Sequence, residues 1–480
     1  MNTRILFRCD GNNKMGLGHI IRSLALARML KPHFECHFAI QNPPKNLLSQ
    51  IKGYADGLIE LPKSDSILEE AKHLCKEHLT SKEIVVLDGY HFDTEYQKII
   101  KKSGCQMVCI DDIHDKHFLA DAIINHSGGI QKEQYSAEDY TKFYLGLDFV
   151  LLRKPFLKAA QNRFQPNAHP IAFVCLGGAD PKNDTVQVLR RLEAASRTKQ
   201  CYVVIGGAYK YRAELENFIS KSTLQVTILE NICATRMIDV MRLCSLAITS
   251  PSTIAIEYLS IGGELYLYQT ADNQVGLFNY LIRSQMAFEF KKIAIISPDK
   301  RALALKKQIG ELDGKSAERL MNIFRELEKK LHYKIRRAHI GDMMTFFNWV
   351  NDTQTRKQSF SQKTISLKEH KEWFSNKIFS AQCYLYILEF KGIPVGQIRF
   401  DLEEQTVLSY SVASKFRGRG FGTYLLEKGI ERIQKDSELT QPIIGYVKKE
   451  NIASNKTFTR LGFKKKEAGT VSNTFVYSSH

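Results

Sequence analysis

A chain of 480 residues, 44% hydrophobic and 25% charged, is too long for one core and fits two or three soluble globular domains. No basic segment followed by an apolar one opens the sequence and no apolar run is long enough to span a bilayer, so a cytoplasmic protein without membrane contact is expected. Net charge is +17, which raises nucleic acid as a partner; residues 332–480 carry +10 of it, from 24 Lys+Arg against 14 Asp+Glu, and no basic stripe interleaved with stacking aromatics appears, so no nucleic-acid partner is expected.

In chain order, residues 5–7 read as a buried parallel strand, the polar run after them as a loop, and Ile20 onward as a helix with apolar residues at helical spacing. Gly16 and Gly18 therefore stand where a strand hands over to a helix, and His19 sits at the helix start. Free amides and the positive end of the helix dipole meet there, and glycine lets a diphosphate approach the backbone. A tight turn with a capping histidine explains the same glycines equally well. Strands and helices keep alternating to about residue 310, as at 84–87, 107–110 and 122–124, which is the pattern of a doubly wound parallel sheet. The pattern restarts after a connecting stretch, residues 157–170, with the strand 171–176 running into Gly177 and Gly178. Two Rossmann-like halves would face each other across a cleft, with ligands outside the carboxyl ends of the strands. Asp88-Gly89-Tyr90 and Ala271-Asp272-Asn273-Gln274 both follow strands and fall on that cleft side.

The ten cysteines form no C-x-x-C pair and no zinc spacing. Buried free thiols are the reading. His114, His117 and His126 lie near Asp111 and Asp112 at about the density expected by chance, and no metal is expected.

The run from Phe7 through Gly18-His19 to Ala27 resembles the start of the UDP-2,4-diacetamido-2,4,6-trideoxy-β-L-altropyranose hydrolases, the PseG family of pseudaminic acid biosynthesis. The resemblance implies a hydrolytic relative of glycosyltransferases of the GT-B fold, with His19 catalytic and Tyr90 and Asn273 as catalytic or substrate partners. It implies substrate contacts at Asp10, Gly16, Gly18, Arg22, Gly177, Gly178 and Gln274. Ser252 and Thr253 would meet the diphosphate and Glu257 the ribose, although plain N-capping of the helix explains Ser252 and Thr253 as well. Pro251 stands where relatives tend to have glycine. Hydrolysis of a sugar nucleotide needs donors around the phosphates and a base for water at C1, a task suited to imidazole. Asp10 or another acceptor would fix the tautomer of His19.

Residues 316–327 read as a helix that closes the second half and runs into Glu328-Lys329-Lys330 as the boundary. From Tyr333 the order changes to a strand, two helices and a strand meander, and Arg417-Gly418-Arg419-Gly420-Phe421-Gly422 joins a strand to a helix. That R-x-x-G-x-G turn supplies consecutive amides with a helix dipole behind them. Asn451-Ile452-Ala453-Ser454 and Leu461-Gly462-Phe463 follow at the distance of a second signature, and the whole region resembles the GNAT acetyltransferases. The resemblance implies acetyl-CoA as co-substrate, held by Val412, Arg417, Gly418, Arg419, Gly420, Phe421, Gly422, Asn451 and Ser454. Phe458 stands where many relatives carry a tyrosine that protonates the departing thiolate. Tyr446 or a water would replace it, or the thiolate leaves without a dedicated acid.

The expected fold is thus α/β throughout: residues 1–158 and 159–331 as the two Rossmann-like halves of a GT-B arrangement, and 332–480 as a GNAT domain. The expected function is a fusion of two consecutive steps, acetylation of the 4-amine of a UDP-4-amino-4,6-dideoxy-β-L-AltNAc sugar and release of UDP from the product. UDP-linked amino sugars are the expected partners, and the sequence is silent on oligomeric state. A GT-B glycosyltransferase fused to another acetyltransferase, or a non-catalytic nucleotide-sugar sensor, are the alternatives.

Overall fold

The computed structural model of the chain describes residues 2–11, 18–43, 45–64, 66–162, 170–438, 441–468 and 472–478; Gly16 lies outside them. Two compact units result, Met1–Leu331 and His332–His480.

Among the described residues, the first unit contains two large sheets and a two-stranded one that pairs His117–Phe118 with Ser136–Ala137. In the first, strands β1 (Arg4–Cys9), β2 (Glu35–Gln41), β3 (Gly57–Leu61), β4 (Ile84–Asp88), β5 (Gln106–Ile110), β6 (Ala122–Asn125) and β7 (Lys142–Leu145) lie in the order β3-β2-β1-β4-β5-β6-β7. All pairs are parallel. Because side chains alternate along a strand, each strand feeds two cores. Phe7, Cys9, Val86, Ile110 and Ile124 face the helix Gly18–Leu30, whose Ile20, Leu24, Leu26 and Leu30 pack on them. Leu6, Val85, Leu87 and Ile123 face the other way, under Ala71, Leu74, Tyr96 and Ile100. This parity decides which polar residues meet beyond the strand ends.

The second sheet holds β8 (Ile171–Cys175), β9 (Gln200–Ile205), β10 (Gln225–Glu230), β11 (Leu246–Thr249), β12 (Glu264–Leu267) and β13 (Phe288–Glu289), again all parallel, in the order β10-β9-β8-β11-β12-β13. The division at 158/159 is crossed in both directions. Phe156, Leu157 and Ala159 of the helix Lys154–Gln161 lie in the second half's core beside Phe173 and Tyr258, whereas Leu320, Ile323, Phe324 and Leu327 of the helix Ser316–His332 return to the first half's core. Each half therefore lends a helix to its neighbour.

The second unit has one sheet of seven strands: β14 (Tyr333–Arg337), β15 (Cys383–Phe390), β16 (Ile393–Leu402), β17 (Thr406–Val412), β18 (Ile443–Lys448), β19 (Lys464–Ala468) and β20 (Ser472–Tyr477), in the order β14-β15-β16-β17-β18-β20-β19. Its pairs are antiparallel except β17 with β18. The helix Phe421–Asp436 covers one face through Leu425, Leu426, Ile430 and Ile433. Phe346 and Phe374, from the helices Met343–Val350 and Leu367–Ile378, cover the other with Leu385 and Ile387. Among the described residues no helix is long and apolar enough to cross a membrane, and no His/Cys/Asp/Glu group could hold a metal. Eight of the ten cysteines are buried and none is in a disulfide.

Candidate active sites

In the first unit, a charged cluster forms where β1, β4, β5 and β6 end beneath the start of the helix Gly18–Leu30. His19 Nδ1 lies 2.7 Å from Asp88 Oδ1. Arg22 Nη2 also lies 3.1 Å from that nitrogen, but Asp88 is the nearer partner and a carboxylate only accepts, so Nδ1–H donates to Asp88 and the lone pair is on Nε2. Asp88 is fully buried at the last position of β4 and takes further bonds from Arg22 Nε (2.9 Å), Arg22 Nη2 (2.6 Å) and Ser23 Oγ (2.9 Å). Burial alone would raise its pKa; Arg22 and the bond from His19 outweigh that and hold it at about 2. Arg22 bridges onward to Asp112, with Nη1 2.9 Å from Oδ2. Burial opposes its charge, and the two carboxylates more than offset this.

Tyr90 closes the cluster toward solvent. Its ring meets His19 edge-on at 4.8 Å between centroids, and Asp112 and, from the opposite half, Asn273 lie near enough to influence its hydroxyl. Burial and the Asp112 charge push the phenol up to about 12. Three residues from separate stretches, His19, Tyr90 and Asn273, are thus brought together.

Other expected contacts fall differently. Asp10 does not reach His19, because Leu6, Arg8 and Asp10 share the opposite face of β1. It pairs with Arg8 Nη1 at 2.6 Å and with His91 Nε2 at 3.2 Å, and accepts from the Gln41 amide at 2.9 Å. The orienting carboxylate is Asp88, which sequence reasoning passed over. The signal was present in Ile84-Val85-Val86-Leu87-Asp88, where Asp88 shares parity with core-facing Val86. Arg22, expected on substrate, is buried on two carboxylates and positions them instead. Gln274 caps its own turn, Oε1 accepting from the Thr270 amide at 2.9 Å and from the Ala271 amide at 3.3 Å. Gly18 opens the first helix, and among the described residues nothing lies within 4 Å of where a side chain would project.

In the second half, Ser252 precedes the helix Thr253–Ile261 without a side-chain cap bond. Its hydroxyl lies 3.1 Å from that of Ser250, so plain capping is not its role and the first amides of the helix stay without an intrahelical partner. Glu257 is 2% exposed and forked by Arg153, with Nε 2.7 Å and Nη2 2.8 Å from its two oxygens. Burial raises its pKa against the pull of Arg153. Gly177 has φ +107°, and the two glycine turns press together: a Cβ on Gly206 would lie 2.5 Å from the Gly178 carbonyl oxygen.

The second unit's candidate site is made of backbone. β17 pairs β18 only from Thr406↔Ile443 to Leu408↔Gly445, while the strands run on to Val412 and Lys448. A notch opens between them. Beside it Gly418 (φ +74°) and Gly420 (φ +80°) turn the chain into the 16-residue helix Phe421–Asp436. Only glycine adopts those angles without strain, and the turn aims the helix's first amides outward, which fits the pyrophosphate of coenzyme A. Arg417 is turned away from such a ligand. Its guanidinium binds Asp352, Gln354, Thr355 and the Val412 carbonyl, tying the helix Thr353–Gln358 to the end of β17. Asn451 caps the helix Ile452–Arg460, its Oδ1 accepting from the Ser454 amide at 3.1 Å. Ser454 Oγ accepts from Tyr410 at 3.0 Å. Phe458, 1% exposed, packs against Phe463, Phe475 and Tyr410, and Tyr446 stands at the surface, 46% exposed.

Residues 333–464 match the family model described as an acetyltransferase (GNAT) domain. Over the full length, the chain is 24% identical to an uncharacterized protein of Methanocaldococcus jannaschii, covering 99% of each chain. A UDP-2,4-diacetamido-2,4,6-trideoxy-beta-L-altropyranose hydrolase of Campylobacter jejuni is 28% identical over 39% of this chain and 65% of its own. The spore coat polysaccharide biosynthesis protein SpsG of Bacillus subtilis is 23% identical over 55% of this chain and 77% of its own. The chain therefore joins an N-terminal region similar to a UDP-2,4-diacetamido-2,4,6-trideoxy-beta-L-altropyranose hydrolase to a C-terminal region that matches the GNAT acetyltransferase domain.

Proposed function

We propose that the chain is bifunctional in pseudaminic acid biosynthesis. Its first unit releases UDP from UDP-2,4-diacetamido-2,4,6-trideoxy-β-L-altropyranose, and its second acetylates the 4-amine of the UDP-4-amino precursor. The observation that carries the hydrolase reading is the His19–Asp88 pair, 2.7 Å apart at the carboxyl edge of the first sheet. Asp88 accepts from Nδ1–H of His19, which leaves Nε2 to take a proton from water as the water oxygen bonds C1 and the C1–O bond to the diphosphate breaks. UDP is already a good leaving group and needs donors more than an acid; the Thr253 end of its helix, with the Ser250 and Ser252 hydroxyls, supplies them. Asn273 and Tyr90 hold the sugar against His19. Glu257 stiffens the nucleotide side through Arg153, and its remaining lone pairs serve the ribose.

In the second unit, acetyl-CoA supplies an activated acetyl group when bound. Gly418, Gly420 and the amides of Phe421 and Gly422 hold its pyrophosphate. Val412, on the unpaired end of β17, lines the notch in which the acceptor amine sits. The basic excess of residues 332–480 suits a phosphate-rich co-substrate.

The test is purified protein with the UDP-diacetamido sugar and water alone, followed by phosphorus NMR. Free sugar plus UDP is expected. UDP release only on addition of a second sugar acceptor would replace hydrolysis by glycosyl transfer. Thiol release from acetyl-CoA with the UDP-4-amino sugar checks the second activity, and its absence would reduce the second unit to a non-catalytic module.

A further inference from the structure

One buried histidine of the first unit takes no part in the mechanism above. His126 follows β6, and the parallel register Ile110↔Ile124 between β5 and β6 sets it beside Asp112. Both continue the face that packs on the helix Gly18–Leu30, since Ile110 and Ile124 lie in that core. His126 is 5% exposed, and among the described residues its Nδ1 meets no hydrogen-bond partner. The second carboxylate oxygen of Asp112, Oδ1, is also buried and has no hydrogen-bond partner among the described residues, while Oδ2 accepts from Arg22. Two orphan polar atoms on neighbouring strand ends within one cluster are costly unless something bonds them. Burial first, then the Arg22 charge, lower the His126 pKa to about 4, so the ring is neutral at pH 7 and offers one N–H.

A carboxylate oxygen that only accepts, next to an imidazole that can donate, matches a hydroxyl, which donates one bond and accepts another. An amide N–H would answer Asp112 and leave His126 orphaned. On a 2,4-diacetamido-2,4,6-trideoxy hexose attached through C1, the ring retains a single free hydroxyl, on C3. We propose that Asp112 and His126 together bind the C3 hydroxyl of the sugar and so select for it. The assignment rests on the sugar-nucleotide reading of the first unit and adds the contact that recognises the sugar.

The test measures affinities by calorimetry in a His19→Ala background, which stops turnover, for UDP, the UDP-diacetamido sugar and its 3-deoxy analogue. The expected result is that the 3-deoxy compound binds at least 10-fold more weakly than the parent, because it leaves two buried groups unpaired. Adding His126→Ala should shrink that ratio below 3-fold with UDP affinity unchanged, which also reports an intact fold, and His126→Asn, which keeps a donor, should restore part of it. Equal binding of parent and 3-deoxy compound, or a ratio that survives His126→Ala, overturns the proposal. So does a parent sugar that binds no better than UDP. Failure of the hydrolase reading looks different: the wild-type protein releases no UDP while the affinity ratio stands.

Discussion

The two candidate sites are built from different material. In the first unit, side chains from four strand ends and a helix start converge, and nearly every polar atom is held by another: His19 by Asp88, Asp88 by Arg22 and Ser23, Arg22 by Asp112. In the second unit the site is a glycine turn, a helix end and a pair of strands that part after Leu408↔Gly445. A side-chain site places a base and sets its tautomer, which suits chemistry at a carbon centre. A backbone site offers amides without titratable groups, which suits holding a phosphate whatever the pH. The difference teaches where each unit is vulnerable: the first to loss of one charge, the second to addition of one methyl group.

The comparison breaks most visibly at Asp88. Asp88→Asn leaves Arg22 facing a neutral amide in a buried site and frees the imidazole of His19. We expect UDP release to fall by about 10² to 10⁴ and unfolding stability to drop by about 3–5 kcal/mol, with acetyl transfer by the second unit retained. Parallel assays of UDP and thiol release, with a thermal melt, check this; an Asp88→Asn protein that hydrolyses normally removes Asp88 from the site.

Gly420→Val attacks the other kind of construction. At φ +80° a β-branched residue is strained and displaces the amides that follow. Coenzyme A binding should be lost in calorimetry while hydrolysis of the preacetylated sugar continues.

A third expectation separates the two by pH. The folded His126 ring takes its proton only below about 4, whereas an exposed histidine does so near 6.5. Between those values the unfolded chain holds the extra proton, so stability is full above about pH 6.5 and falls as the pH drops toward 4, by up to about 3 kcal/mol. Denaturant melts at pH 7 and 5 should show the loss in the first unit, and His126→Gln should flatten it.

The smallest effect belongs to Phe458→Tyr. The ring lies over Gly445, whose Cβ, if present, would be 2.3 Å from Phe458 Cε1, and it is enclosed by other aromatics. A hydroxyl added there lacks a partner and should cost about 1–3 kcal/mol without raising the acetylation rate. A faster enzyme with a flatter decline at high pH would show that the missing phenol limits thiolate departure.

The same contrast explains what could be read from the sequence. The second unit's candidate site lies within a few residues, so Arg417 to Gly422 announce it locally, and Gly418 and Gly420 turn the chain at positive φ into the following helix. The polar side chains beside them find partners within the fold. Arg417 and Asn451 serve the fold, one tying the helix Thr353–Gln358 and one capping Ile452–Arg460, because a local motif does not disclose which neighbour a long side chain will find. The first unit's cluster draws on positions 19, 22, 88, 112 and 126, and only register and parity bring them together. His19, Tyr90 and Asn273 could be singled out by resemblance. Asp88 could not, and Asp10 was favoured although it sits on the opposite face of β1. The exchange of helices between halves was equally hidden, since Lys154–Gln161 and Ser316–His332 carry ordinary amphipathic patterns that do not say which core they will join.

The central claim, two independent chemistries on one chain, is tested most directly by giving His19→Ala protein the UDP-4-amino sugar and acetyl-CoA and following both by NMR. The account predicts that the UDP-diacetamido sugar accumulates with stoichiometric thiol release and no free UDP, whereas the wild type carries the same mixture through to free sugar and UDP. UDP release by the variant at the wild-type rate, or no acetylated sugar from either protein, would contradict it.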